Sequence, residues 1–207
     1  MKITANIATH KGREEQLKVM LDSIAGQFDK IRIYDNDILP DKTDNGKFDA
    51  LEWIEEPEYY FTLDDDIIYP SDYVERTLFY LHHYKCIVTY HGRILKEPCN
   101  EYYRGHQVFD FKGALDVGKI VDIGGTGVMA FNTRYFHPKG LVNSKDKRMS
   151  DIIFSLEVAI NDKLIVSCPR PYGYLKQQEV TTSILSDRFG DTSRQVELAK
   201  KIIELKR

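Results

Sequence analysis

The sequence predicts an α/β fold with a mainly parallel, doubly wound central sheet. Strand-like and helix-like patterns alternate through the first half of the chain, the order that joins parallel strands through helices. Several apolar runs end in polar residues, as strands do at the ligand-binding edge of open α/β sheets. The 207 residues, 42% of them hydrophobic, suffice for one domain with a substantial core.

The first half contains the regular part of this pattern. Alternating apolar residues predict the strands, and apolar residues three and four positions apart predict the helices. Gly26 ends the first helix, and Ser71 or Asp72 begins the third. In order, the predicted elements are a strand over Lys2–Ala8, a helix over Glu14–Ala25, a strand over Ile31–Tyr34, a short helix over Phe48–Glu55, an apolar strand starting at Tyr59, a helix after Pro70 and a strand over Cys86–Tyr90.

The second half is less regular. Residues 91–121 show weak periodicity, which indicates hairpins or loops flanking a site. Beyond them we predict a glycine turn over Gly124–Gly127, a strand over Val128–Phe131, a helix capped at Ser150–Asp151, a strand over Leu164–Ser167, an irregular segment after Cys168 and an amphipathic helix over Val196–Ile203. No terminating signal follows Leu205, as expected of a domain cut from a longer protein.

Composition and charge indicate which binding partners and which cellular compartment to expect. A net charge of -3 argues against a polyanion-binding surface, so we expect no nucleic-acid partner. Cys86, Cys99 and Cys168 are widely spaced and form no Cys-x-x-Cys pair, which argues against disulfides and zinc. Neither an apolar run of about 20 residues nor a signal-peptide core is found. We therefore expect a cytoplasmic protein without a membrane span.

The strongest chemical signal is the triplet Asp64, Asp65 and Asp66 at the end of an apolar strand. In an extended chain Asp64 and Asp66 point one way and Asp65 the other. Mg²⁺ or Mn²⁺ is typically coordinated by one or two protein carboxylates, and water and phosphate oxygens complete its coordination. Two carboxylates on one side of the strand would provide such a site. The alternative is an exposed acidic turn, which the preceding buried strand makes less favourable.

Taken together, the motifs resemble those of nucleotide-sugar-dependent glycosyltransferases with the GT-A fold. The acid triplet corresponds to the metal-binding motif of that family. The resemblance extends over most of the chain and includes Asn6–Arg13, Asp35–Asp37, Asn45–Phe48, Asp64–Val74, His91–Gly92, Gly125–Gly127 and Met149–Phe154. A narrower resemblance, to glycosyltransferase domains with which large algal viruses build capsid glycans, implies a viral capsid glycoprotein as acceptor and the host cytoplasm as location.

The resemblance implies a GT-A fold with a smaller mixed acceptor-side region. Residues 1–90 would form the half that binds the nucleotide sugar, and residues 91–207 the half that binds the acceptor, within one domain. The implied reaction moves a sugar from a nucleoside diphosphate, most often uridine-based, to a hydroxyl of a glycan or glycoprotein. Mn²⁺ or Mg²⁺ on Asp64 and Asp66 would neutralise the leaving diphosphate.

On the donor side, the resemblance places Thr9, Arg13 and Asp35 beside uracil and ribose. It places Lys47 where an ammonium offsets diphosphate charge, and it turns Asp65 toward donor ribose or sugar. Three of these positions also have a simpler interpretation. Asp35 in a polar loop is equally consistent with an Asx turn, and Arg13 and Lys47 with solvated side chains.

On the acceptor side, the resemblance implies that Asp151 deprotonates the acceptor hydroxyl, while Asp66 acts catalytically through the metal. The family often carries two acids where this chain has Ser150–Asp151, which leaves the base assignment open. As a residue at a helix N-terminus, Asp151 also has a purely structural explanation. The implied substrate-binding residues are His91, Asp122, Gly125 and Thr126. Alternatively, His91 is a structural histidine and Asp122 stabilises a turn.

Two other functions compete with a glycosyltransferase. A sugar-phosphate nucleotidyltransferase also uses a sheet, a nucleotide and a metal, but it requires a longer glycine-rich loop than Thr9–Arg13 provides. A non-catalytic carbohydrate or Ca²⁺-binding module would need six to eight oxygen ligands. The sequence turns apolar directly after Asp66, which counts against that module.

Overall fold

Strands and helices are assigned from a computed structural model that describes residues 1–179 and 192–206. The strands are β1 Lys2–Thr9, β2 Lys30–Asp35, β3 Glu58–Asp64, β4 Ile67–Ile68, β5 Ile87–Thr89, β6 Gly92–Ile94, β7 Gln107–Phe109, β8 Lys119–Val121, β9 Ile123–Gly124, β10 Val128–Asn132, β11 Ile165–Ser167 and β12 Lys176–Gln177. The α-helices are α1 Glu14–Ser23, α2 Tyr73–Tyr84, α3 Ser150–Ile160 and α4 Ser193–Leu205, and 3-10 helices cover Thr43–Glu52 and Leu141–Asn143. Residues 180–191 of the predicted irregular segment lie outside the described part.

The central sheet has seven strands in the order β2-β1-β3-β10-β5-β11-β8. Strands β1, β2, β3, β5 and β11 run in one direction, and β10 and β8 run in the other. Residues of α1 and α2 pack in the core on one face, while the long 3-10 helix, α3 and α4 pack on the other. The predicted mixed α/β fold with a mainly parallel sheet is confirmed. No helix in the described ranges is long and apolar enough to cross a membrane.

Strand β10 departs from a fully parallel sheet. It lies between β3 and β5 and runs antiparallel to both. Between β5 and β10 the chain passes through short strands, with no crossover helix on the way. A parallel neighbour requires a crossover connection, which is usually a helix. Because no helix lies between β5 and β10, β10 can run antiparallel to β5.

The short helix predicted over Phe48–Glu55 is a 3-10 helix that begins five residues earlier, at Thr43. The ring of Tyr34 lies against Gly46, where a Cβ atom would collide with it. Phe48 and Leu51 are fully buried and anchor this segment to the core. Because Gly46 has no side chain, the backbone of the 3-10 helix can approach Tyr34 of β2 closely. This contact holds the polar residues next to Gly46 near the sheet.

The carboxyl ends of β1, β2 and β3 lie side by side. In the parallel register Thr9 pairs with Asp35, and Ala8 pairs with Asp64. A three-stranded sheet, β7-β6-β9, occupies the region of weak periodicity and pairs Gly92 with Gly124. This pairing brings the segment after β5 next to the predicted glycine turn.

Candidate functional site

The three consecutive acids do not lie on one extended strand. Strand β3 ends at Asp64, and Asp65 and Asp66 form a turn that leads into β4. The alternation of side chains that would place Asp64 and Asp66 on one side ends with the strand. Strand alternation therefore does not place Asp64 and Asp66 on one side, and each carboxylate of this acid turn, Asp64–Asp66, has its own partners.

Thr9 and Arg13 hold the second and third acids. The Thr9 hydroxyl donates to Asp65 Oδ2 at 2.8 Å, and Arg13 Nη1 donates to Asp66 Oδ2 at 3.1 Å. The same guanidinium nitrogen lies 3.8 Å from Asp65 Oδ1. Thr9, Arg13 and Asp65 are all buried. The structure thus brings the predicted donor residues Thr9 and Arg13 against the acid turn.

Lys47 is the partner of Asp64. Its ammonium group forms an ion pair with Asp64 Oδ1, and its side chain is 3% exposed. Burial alone lowers the pKa of Lys47, but the nearby carboxylates of Asp64, Asp44 and Asp151 outweigh burial and raise it. Lys47 is therefore a buried cation beneath Asp64, which excludes the solvated-lysine interpretation.

The acid turn carries more negative charge than its cations compensate. The pKa of Asp66 is raised to about 6, mainly by burial and next by repulsion from Asp64 and Asp65, although Arg13 opposes the rise. Burial also raises the pKa of Asp65, against the Thr9 hydrogen bond and Arg13. A carboxylate with a raised pKa gains most from an additional cation, because that cation removes the repulsion.

The residues present fit a divalent cation that is completed by ligand oxygens. No group of three or more His, Cys, Asp or Glu side chains arranged around a metal is found within 1–179 and 192–206. Asp64, with 42% of its side chain exposed, and Asp66 nevertheless supply two carboxylates at one turn. Mg²⁺ typically takes one or two carboxylates and fills its other positions with water and phosphate. A cation at this turn would thus depend on a phosphate-bearing ligand.

Asp151 lies in the first turn of α3 and fixes the predicted glycine turn. Its Oδ1 accepts the Thr126 amide at 2.7 Å and the Thr126 hydroxyl at 2.8 Å. Its Oδ2 accepts no hydrogen bond from the described residues. Oδ1 of Asp151 therefore has a structural role in the glycine turn.

The charges of two further acids act on Lys47. The carboxylates of Asp44 and Asp151, together with that of Asp64, raise its pKa against burial. Asp44 in turn accepts the Ser150 amide at 3.0 Å, which ties the 3-10 helix to the start of α3. The acid turn meets Asp151 through the glycine turn, because the Asp64 amide donates to the Gly127 carbonyl at 3.3 Å and Asp151 holds the adjacent Thr126.

Tyr69 is a site residue that the sequence reasoning missed. Its hydroxyl donates to the Gly127 carbonyl at 2.6 Å and accepts the Asp64 amide at 2.9 Å. A Cβ atom at Gly127 would collide with the Asp64 carboxylate. The sequence signal was limited to a tyrosine before Pro70 in an apolar run, which is also typical of core residues.

His91 packs against the glycine turn rather than on the acid turn. The Gly125 amide donates to the His91 carbonyl at 2.8 Å, and a Cβ atom at Gly125 would lie 2.7 Å from His91 Cβ. Burial lowers the pKa of His91 despite the opposing charges of Asp151 and Asp110. His91 Nδ1 is buried without a hydrogen-bond partner in the described structure. The predicted residues His91, Gly125, Thr126 and Asp151 thus form one cluster.

Asp35 and Asp122 have local structural partners. Asp35 lies at the β2 end beside Thr9, as predicted, and its Oδ1 accepts the Asp37 amide at 2.9 Å. This is the Asx turn of the alternative interpretation. Asp122 accepts the Leu95 amide at 2.7 Å and the Lys206 ammonium at 3.0 Å. These contacts favour the turn-stabilising explanation of Asp122.

The raised pKa of Asp66 predicts that this residue destabilises the metal-free protein as pH rises. Between about pH 4 and pH 6 the folded state holds a proton on Asp66 that the unfolded state has released. The contribution of Asp66 to the free energy of unfolding should therefore fall through about pH 6, by on the order of 2 to 3 kcal/mol. The lowered pKa of His91 acts in the opposite direction but is common to the wild type and the variants, so the difference between their curves isolates Asp66. Urea denaturation in EDTA from pH 4 to pH 8 measures this dependence.

The matched variants are Asp66→Asn, which removes the titrating group, and Asp22→Asn, which changes an exposed acid on α1. Asp66→Asn should become more stable than the wild type above pH 6, whereas Asp22→Asn should follow the wild-type curve. Parallel curves for the wild type and Asp66→Asn would contradict the prediction.

Comparison with known proteins gives distant structural similarity alone. No protein-family model matches the sequence, and no curated protein matches it. A solved structure described as "Crystal Structure of A197 from STIV" shares 12% identity with a TM-score of 0.46, covering 88% of this chain and 97% of that chain. Similarity at this level carries no argument about function.

Proposed function

We propose that this protein is a metal-dependent glycosyltransferase of the GT-A type, with a nucleoside-diphosphate sugar, most favourably a UDP-sugar, as donor. The observation that carries the proposal is the acid turn at the shared carboxyl edge of β1, β2 and β3, which contacts Gly127 next to the Thr126 that Asp151 holds. This edge is where open α/β sheets bind nucleotides. The rise in the pKa of Asp66 supports a role in binding a cation.

In the proposed mechanism, Asp64 and Asp66 would hold Mn²⁺ or Mg²⁺, which would neutralise charge on the departing diphosphate. Arg13 and Lys47 keep the acid turn in one arrangement when the ligand is absent. Preorganised charges of this kind reduce the reorganisation needed during reaction.

Asp151 is the proposed general base toward the acceptor, a hydroxyl of a glycan or glycoprotein. Its Oδ1 is held by Thr126, which orients the carboxylate, and its Oδ2 can accept the hydroxyl proton. The anomeric carbon then bonds to the acceptor oxygen as its bond to the diphosphate breaks. The electron pair of that broken bond leaves with the nucleoside diphosphate.

A thermal-shift panel of nucleotide sugars, with and without Mn²⁺, tests this proposal. A ligand that binds only the native state raises the unfolding temperature, and the rise with a UDP-sugar should require Mn²⁺. No shift with any uridine or guanosine compound would overturn the proposal. Release of a nucleoside triphosphate from a nucleotide sugar and pyrophosphate would instead identify a nucleotidyltransferase.

A further inference from the structure

A groove of about 470 Å³ lies beside the acid turn but is distinct from it. Its walls are the segment from Ile68 to Pro70, the start of α2 and the segment from Pro171 to Lys176. The three acids, Asp151 and His91 do not line it. A groove of this volume is in the range that binds small ligands.

Tyr172 projects into solvent at the rim of the groove, with 84% of its surface exposed. The turn that carries it is firmly anchored. The buried Arg170 guanidinium donates to the carbonyls of Cys168, Phe109 and Asp110 at 2.9, 3.1 and 2.7 Å. The Gly173 amide also donates to the Lys112 carbonyl at 2.9 Å. An exposed aromatic ring is therefore presented on a rigid base, which lowers the entropy cost of binding.

The rest of the groove combines apolar and polar residues. The Arg76 guanidinium stacks 4.9 Å from the centre of the Tyr174 ring and lies 4.0 Å from Asp72 Oδ2. Lys176 is exposed. The donors of Arg76 and Lys176 and the Asp72 carboxylate therefore line the same groove as the exposed Tyr172 ring.

We propose that this groove is a saccharide-binding site. A pyranose ring offers an apolar C–H face that stacks on an aromatic ring, and a rim of hydroxyls that bond to charged and polar groups. A protein partner fits less well, because the apolar residues Ile68 and Tyr174 of the lining are half-buried, which leaves Tyr172 as the exposed aromatic residue of the groove. Asp72 offsets part of the positive charge of Arg76 and Lys176, so the lining offers both donors and an acceptor to sugar hydroxyls.

The site does not depend on the proposed glycosyltransferase activity. Binding here needs neither a metal ion nor a nucleotide sugar, so it is measured in EDTA without a donor. Asp66→Ala changes the acid turn but leaves the groove lining unchanged and should bind saccharide normally. Failure of donor binding and failure of saccharide binding are therefore separate results.

The test is saturation-transfer difference NMR with cellotriose, maltotriose, xylotriose and chitotriose at millimolar concentrations. At least one trisaccharide should show transfer, and Tyr172→Ala should weaken its binding about tenfold, while Tyr172→Phe retains it. The control is Tyr135→Ala, since Tyr135 is 72% exposed and does not line the groove. Absence of transfer from all four sugars, or equal binding by Tyr172→Ala and wild type, would overturn the proposal.

Discussion

Replacing Lys47 with methionine is expected to lower the free energy of unfolding by about 3 kcal/mol. Loss of one partner from a buried ion pair typically costs about 3 to 5 kcal/mol, because the other charge stays uncompensated. Asp64 is 42% exposed, so water screens part of its charge. We therefore expect a loss of stability near the lower end of this range. Asp44 and Asp151 lose the same counter-ion, which adds repulsion across the site. Urea denaturation measures the change.

The matched control is Lys18→Met, which removes an ion pair to Asp22 in which both side chains are largely exposed. Exposed pairs contribute about 1 kcal/mol or less, so this variant should remain near wild type. The double variant Lys47→Met with Asp64→Asn should recover part of the lost stability, since it also removes the stranded charge. Equal effects of Lys47→Met and Lys18→Met would refute the role of Lys47 as internal counter-ion.

The position of the acid turn was predictable from sequence because it depends on local patterns. An apolar run that ends in acids and a proline defines a strand end, and parallel neighbours end at the same edge. The resemblance to GT-A enzymes implied that Thr9 and Asp35 lie in the donor site, and the structure has both residues at this edge. The position of the acid turn itself required only the period of the strand and the order of the elements.

The partners of the acids were not predictable in the same way. The ion pair between Lys47 and Asp64 depends on a 3-10 helix held by the contact of Gly46 with Tyr34, which no periodic pattern encodes. The end of β3 at Asp64 also changes which carboxylates face each other, and strand ends are the least certain part of a sequence-based assignment. The reversed direction of β10 arises from a connection without regular helices.

The role of Tyr69 illustrates a further limit. Its ring is 2% exposed and belongs to the core, yet its hydroxyl joins Asp64 to the Gly127 carbonyl. A buried tyrosine is a common core residue, and only the geometry shows that its polar end orders a candidate site. Residues of this kind connect the stability of the core to the arrangement of the acids.

Asp66→Ala is expected to reduce sugar transfer by about 10²- to 10³-fold at saturating Mn²⁺, the typical loss when one electrostatic group that stabilises the reaction is removed. Under the proposed function Asp66 supplies one of two protein carboxylates for the cation, and Asp64 alone is already paired with Lys47. Calorimetric titration with Mn²⁺ should show weakened binding by the same variant. Turnover is followed as release of nucleoside diphosphate.

Stability separates this loss from misfolding. Asp66 is repelled by Asp64 and Asp65, so its removal should leave the metal-free fold at least as stable above pH 6, although Arg13 loses a partner. Asp22→Ala, at an exposed acid, should keep full activity and Mn²⁺ affinity. Near-wild-type transfer by Asp66→Ala would remove the acid turn from the mechanism. Burial, and after it repulsion from Asp64 and Asp65, raises the pKa of Asp66, and a bound cation would stabilise the charged carboxylate against both effects. The same carboxylate should therefore limit stability without metal and activity with it.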